Sequence, residues 1–307
     1  MYRFTEPWDF LRNARVVRNA TEYLTLPADF LRSSSDRLPE VSFDSVHTFV
    51  LFVGIGRSGT TLLGALLDAH PNAIVANQQC ALKYLHPFPF ARDRIFRLLL
   101  QNSMRAARDG RPGGGGYSYA VPGQWQGRFE RIEVIGDKSR SAQSVEWLAA
   151  RPDLLQQLAQ TVRARIRMLH VIRNPCDTIA RRSLRRRVSL QKISAEYFVL
   201  TRKLQNLFER LESQPWLDAE RVPIYLEDLV SAPMQQLGEL CDALGLRRSE
   251  DYLAACASIL FDKPSEARNA VQWPAALLAD IQRRIQDVPY LRRYSLESNG
   301  NEGRADH

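Results

Sequence analysis

Short, unbroken apolar runs alternate with amphipathic stretches along most of the chain. The runs 47–53, 73–76, 132–135, 166–172 and 222–226 are rich in aliphatic and β-branched residues. Continuous hydrophobicity of this kind marks strands covered on both faces. Apolar positions recur at helical spacing over 58–69, 92–107, 141–148, 153–162, 190–211, 233–244, 250–258 and 274–288. Strands alternating with helices predict crossover connections, hence an α/β fold with a parallel sheet flanked by helices. No repeat and no low-complexity linker divides the chain. One domain is therefore expected over residues 46–297, preceded by a helix-containing arm at 1–45 and followed by a disordered polar tail at 298–307. Residues 109–128 hold Arg111-Pro-Gly-Gly-Gly-Gly-Tyr-Ser-Tyr119 and Pro122-Gly-Gln-Trp-Gln-Gly127. A loop of that length with its own aromatics is expected to serve the substrate, as a wall or a lid.

Composition removes several classes. With 307 residues, 45% of them hydrophobic, the chain is long enough for a full core. No apolar run approaches the roughly 18 residues of a membrane span, and the first residues lack a basic-then-apolar leader. Cys80, Cys176, Cys241 and Cys256 form no spaced pair, and His47, His70, His86, His170 and His307 form no ligand cluster. A cytoplasmic protein without disulfides, structural metal or membrane partner is the expectation. The net charge of +8 is carried almost wholly by arginine. Scattered arginines reflect composition, whereas the run Arg181, Arg182, Arg185, Arg186 and Arg187 suits a polyanion, because guanidinium forks match phosphate geometry.

The first apolar run leads into Gly54-Ile-Gly-Arg-Ser-Gly-Thr-Thr61 and then the helical Leu62-Leu-Gly-Ala-Leu-Leu-Asp-Ala-His70. A glycine turn between a strand and a helix aims backbone N–H groups and the helix N-terminus at one anion. Gly54, Gly59 and Thr61 keep the spacing of the nucleotide P-loop G-x-x-x-x-G-K-[ST], but Thr60 stands at the lysine position and the cation is Arg57. Kinases and ATPases need that lysine on the β- and γ-phosphates and an acid to help hold magnesium. The run 166–172 ends in Arg173 where such an acid would stand. Arg173-Asn-Pro-Cys-Asp177 thus supplies a second cation at a strand's carboxyl end, where open α/β sheets bind ligands. Two anion positions without magnesium equipment suit a nucleotide with one group at its 5′ end and a phosphate on its ribose.

The pair Arg57-Ser-Gly-Thr-Thr61 and Arg173-Asn-Pro-x-Asp177 resembles the two cofactor motifs of sulfotransferases that use 3′-phosphoadenosine 5′-phosphosulfate. The stretch 56–71 is especially similar to the tyrosylprotein branch and its bacterial relatives, and the resemblance extends over about 47–295. It implies that Gly56, Arg57, Ser58, Gly59, Thr60 and Thr61 hold the 5′-phosphosulfate and that Arg173 binds the 3′-phosphate. The family's partner serine falls at Arg181 here, so Ser183 or Arg181 itself is the candidate partner, with Arg185 a second basic contact. Lys263 and Arg268 fall in the basic loop, ending at Trp273, that closes on the adenosine. Lys138, in Gly136-Asp-Lys-Ser139, falls where relatives carry a lysine. The implied reaction moves a sulfuryl group to a hydroxyl or amine of a small-molecule acceptor, with Arg57 and Lys138 stabilising charge.

Gln78 falls where that branch carries a glutamate base, and an amide cannot accept a proton at neutral pH. Three readings stand: an acceptor acidic enough to need little help, a substitute base such as His86 or Asp137, or impaired activity. Tyr117, Tyr119 and Trp125 are candidates to stack on an acceptor. His70 is expected to end the loop helix and pack there. Two other functions remain open, a small-molecule P-loop kinase and a basic nucleic-acid-binding protein. The arginine run matches no nucleic-acid module, so no nucleic-acid partner is expected.

Overall fold

The computed structural model describes residues 23–33, 41–113, 117–140 and 142–295. Most of the expected arm and the whole of the expected tail lie outside the described residues.

Five strands, β1 (Thr48–Gly54), β2 (Ala73–Asn77), β3 (Val134–Lys138), β4 (Arg165–Ile172) and β5 (Ala219–Tyr225), form one parallel sheet in the order β2-β3-β1-β4-β5. Successive side chains of β1 serve opposite faces. Phe49, Leu51 and Val53 join a core built with α3 (Arg92–Arg108), α4 (Gln143–Ala150), α5 (Leu154–Val162), α6 (Pro175–Arg186), α7 (Leu190–Glu212) and α11 (Ala275–Gln286). Val50 and Phe52 join the opposite core with α2 (Thr60–Asp68), α8 (Leu226–Ser231), α9 (Pro233–Leu244) and α10 (Glu250–Ser258). Helix α1 (Leu26–Ser33) is the described part of the expected arm, and its Leu26 is buried in the first core. The fold is the expected α/β sheet covered on both faces.

Three elements differ from the sequence pattern. Strand β3 lies later than the run 132–135, and Gly136, Asp137 and Lys138 are paired and buried at its carboxyl end. Hydrophobicity does not find these polar positions. A Cβ at Gly136 would collide with the carbonyl of Val50, so close pairing with β1 requires glycine there. Strand β5 begins at Ala219 with exposed or half-buried polar residues, as an edge strand permits, and Leu226 opens α8 instead of ending the strand. The periodicity names no helix over 175–186, because the apolar face of α6 is thin. Capping starts it: the Asn174 side chain accepts from the N–H of Cys176 at 2.9 Å, with Pro175 in the first turn. All four cysteines are buried, and none is in a disulfide. Among the described residues, no helix is long and apolar enough to cross a membrane.

Candidate functional site

Strands β2 and β3 lie on one side of β1 and β4 and β5 on the other, so the chain switches direction between β1 and β4. Ligand crevices open at such a switch point, outside the carboxyl ends of the strands. A cavity of about 670 Å³ lies there, within the size range of nucleotide and cofactor sites. It is reached by the glycine loop after β1, by Gln78 after β2, by Lys138 and Arg140 from β3, by Arg173 after β4 and by Leu226 after β5.

Gly54 pairs with Val171, which brings the glycine loop and Arg173 side by side. The guanidinium of Arg173 donates to the carbonyl of Arg57 at 3.3 Å and to the carbonyl of Ser265. Arg57 lines the cavity in the left-handed region, at φ 81°, a strained conformation for a side chain with a Cβ that functional sites retain. Gly59 follows at φ 102°, and a Cβ there would lie 2.6 Å from the Leu226 side chain. Among the described residues no side chain caps α2, so its first N–H groups are left to solvent or a ligand. Among the described residues, Arg57 Nε and Arg173 Nε are buried without hydrogen-bond partners, and both side chains belong to the cavity wall. Burial depresses both guanidinium pKa values, and like charge, from Arg181 most, adds to the effect on Arg57; both remain cations.

Gly56, Arg57, Gly59, Thr60, Thr61 and Arg173 line the cavity, as do Arg181, Arg185 and Lys263. Ser58 does not line it. Between the two candidate partners of Arg173 the geometry is unequal. Ser183 donates its hydroxyl to the carbonyl of Val188 at 2.6 Å and does not line the cavity, because it faces the end of α6. Arg181 does line it, 3.1 Å from the hydroxyl of Ser265. Arg268 also turns away from the expected contact. Its backbone N–H and its guanidinium each donate to Asp177 at 2.8 Å, and it pairs with Glu266 at 3.1 Å. Asp177 thereby clamps the basic loop to the start of α6, and Trp273 donates to the carbonyl of Arg268 at 2.9 Å.

On the other side of the loop, Lys138 is 4% exposed and makes no ion pair among the described residues. Burial brings its pKa down to about 8, opposed by Asp137 and reinforced by Arg140 and Arg57. Gln78 reaches the cavity from a turn in which Gln78 and Cys80 both have positive φ, 63° and 61°. Asp137 holds that turn: it accepts from the N–H of Gln79 at 3.1 Å, the N–H of Ala81 at 3.0 Å and the hydroxyl of Ser139 at 2.7 Å. Enclosed by these donors and absent from the cavity wall, Asp137 does not stand where a substitute base would. His86 is exposed and does not line the cavity. His70 packs at the end of α2 as expected, donating to the carbonyl of Arg247 at 2.9 Å.

Within 109–128, Tyr117 and Tyr119 line the cavity, and Tyr117 meets Phe261 edge-on at 5.2 Å. Trp125 does not; it sits under the Arg128 guanidinium. Arg111 pairs with the buried Asp68, which also accepts from Ser103 and Gly127, and this anchors the stem of the loop to α2 and α3. Sequence reasoning missed Arg140, whose Nε donates to the Gln78 side chain at 3.2 Å, and two carboxylates on the wall, Glu146 and Glu196. Arg140 stands two residues after Lys138, a signal of position; the two glutamates carry none, being ordinary polar residues of helices.

No family model matches the sequence, and no curated protein matches it. Among solved structures the chain is similar to the sulfotransferase domain of the curacin biosynthetic pathway, at 16% identity over 82% of this chain and 98% of that one, with a TM-score of 0.46. It is similar to the sulfotransferase domain of the Synechococcus PCC 7002 olefin synthase, at 18% identity over 80% and 94%, TM-score 0.46. It is also similar to a mouse sulfotransferase complexed with PAP, at 12% identity over 86% and 96%, TM-score 0.43.

Proposed function

We propose that this chain is a sulfotransferase of the cytoplasm that moves a sulfuryl group from 3′-phosphoadenosine 5′-phosphosulfate to a hydroxyl or amine of a small-molecule acceptor. The observation that carries this reading is one cavity whose wall carries two groups of cations and hydrogen-bond donors. One is the uncapped start of α2 with Arg57; the other is Arg173 with Arg181, held together by Ser265. Their unsatisfied buried donors fit the two anionic ends of such a nucleotide. The donor supplies an activated sulfuryl group. The chain's residues do the rest: Arg57 and the N–H groups of α2 hold its oxygens, Arg173 and Arg181 hold the ribose phosphate, and Lys138 offers a proton or positive charge to the departing oxygen. The likeness of residues 56–71 to the tyrosylprotein branch is part of the same reading and rests on sequence.

A kinase is the second reading, carried by the P-loop spacing. Its magnesium would have to sit among Arg57, Lys138, Arg173 and Arg181, and that cluster of positive charge disfavours a divalent cation. Thermal shift separates the two. Adenosine 3′,5′-bisphosphate at a hundred times its Kd is expected to stabilise by about 2.7 kcal/mol without metal, and Arg173→Ala is expected to abolish the shift. Stabilisation by ATP only with magnesium would overturn the reading in favour of the kinase, and an equal shift with duplex DNA would favour a nucleic-acid surface.

A further inference from the structure

Sulfuryl transfer to a hydroxyl or amine needs a group to take the acceptor's proton, and Gln78 cannot be that group. Besides Arg173 and Arg181 on the β4 side, the wall holds Gln78, Lys138 and Arg140 at the carboxyl ends of β2 and β3, and Gln143 and Glu146 from α4, which packs against β1 and α7. Gln143 and Glu146 stand three residues apart on the first turn of α4, which places both on one face of that helix.

Among the described residues the other carboxylates near the cavity and the histidine candidate are committed elsewhere. Asp137 is enclosed by three donors, and His86 does not line the cavity. Glu196 lines it, but its carboxylate is held by Arg186 from one side and by Arg182, 3.3 Å away, from another. Glu146 is half-buried, and its carboxylate makes no hydrogen bond or ion pair among the described residues. Arg182 of α6 is the cation in electrostatic contact with it; Arg140 precedes its helix, and Arg186 and Glu196 face the same space from α6 and α7.

We infer that Glu146 is the proton acceptor of the reaction, taking the role that Gln78 lacks, and this rests on the sulfuryl-transfer reading. The acceptor's O–H or N–H proton passes to the Glu146 carboxylate as the acceptor's lone pair forms a bond to sulfur. The bond from sulfur to the bridging oxygen breaks, and its electron pair stays on the phosphate of the departing adenosine 3′,5′-bisphosphate. Gln78 and Arg140, hydrogen-bonded to each other, would orient the acceptor beside it.

The test uses the full chain, its Glu146→Gln variant and a Glu146→Asp variant. Thermal shift with adenosine 3′,5′-bisphosphate is measured first and is expected to be equal in all three. Each protein is then incubated with the phosphosulfate donor and a metabolite extract, and the sulfonate mass gain is followed from about pH 5.5 to 7.5, below the pH at which Lys138 loses its proton. Glu146→Gln is expected to lose ~10²-fold or more at neutral pH. Its remaining rate should rise about tenfold per pH unit, as an acceptor that must ionise unaided requires, while the wild type stays nearly flat and Glu146→Asp recovers part of the loss. A loss uniform with pH, no loss, or a lost bisphosphate shift in Glu146→Gln would each overturn the role of Glu146. A wild-type chain that neither shifts with the bisphosphate nor yields a sulfonate gain would overturn the sulfuryl-transfer reading itself.

Discussion

Lys138 shows at the scale of one residue how a catalytic requirement conflicts with stability. An ammonium 4% exposed with no ion pair among the described residues is costly to bury, and the cost appears as a pKa brought down from 10.5 to about 8. Because the folded state holds this proton less tightly than the unfolded state, the penalty is fully present below about pH 8 and fades as pH rises toward 10.5. At neutral pH that penalty amounts to at most about 3 kcal/mol. Lys138→Met is therefore expected to raise the Tm of the ligand-free protein at pH 7 by several degrees, and to lose that advantage above pH 10. Transfer activity should fall in the same variant. In the wild type an alkaline limb near pH 8, where the ammonium of the free protein is lost, should appear in kcat/KM and vanish from the residual activity of Lys138→Met. A variant less stable than the wild type at pH 7 would mean that Lys138 has a strong partner after all.

At the scale of elements, the site depends on how loops are tied to the ends of strands and helices. The glycine loop was legible in the sequence because its information is local: a strand, three spaced glycines and a helix start define one anion cradle. Arg173 was legible for the same reason, standing at the end of an apolar run. The clamp of the basic loop was not, since Asp177 and Arg268 are 91 residues apart and their pairing exists only in the fold. Sequence likeness assigned Arg268 to the nucleotide; the fold gives it to Asp177, a carboxylate whose side chain is 3% exposed. Arg268→Ala should therefore act on the nucleotide indirectly, by releasing the segment that carries Lys263 and Ser265. Titration with adenosine 3′,5′-bisphosphate is expected to show affinity weakened about tenfold, with a stability loss of about 1–3 kcal/mol for the charged hydrogen bonds. Asp177→Asn should do much the same, and the double variant should cost little more than either single one, as a shared interaction requires. Additive losses would place Arg268 on the ligand rather than on the clamp.

At the scale of the whole molecule, the described part of the N-terminal arm belongs to the site's foundation. Residues 1–45 read as an irregular, helix-containing arm, and nothing local reveals that Asp29 of α1 is 2% exposed. Its carboxylate pairs with Lys83 at 2.9 Å and accepts from Tyr84 at 3.0 Å. The Tyr84 hydroxyl accepts from Gln79, Gln79 accepts from Asn102 at 2.7 Å, and Asn102 accepts from the backbone of Asn77 at 2.7 Å. This chain of bonds runs from α1 to both sides of Gln78, the residue that the strained turn presents to the cavity. Removing one partner of a buried pair leaves the other uncompensated, at about 3 kcal/mol or more. Asp29→Asn and Lys83→Met are each expected to lower Tm by about 5 °C or more, and the double variant should recover part of the loss because no lone charge remains. Adenosine 3′,5′-bisphosphate binding, which depends on the β1 and β4 side, should be nearly unchanged in all three, whereas the KM for the acceptor should rise as the turn at Gln78 loosens. If Asp29→Asn left both Tm and acceptor KM as they were, α1 would be an appendage, and the turn would be held by Asp137 alone.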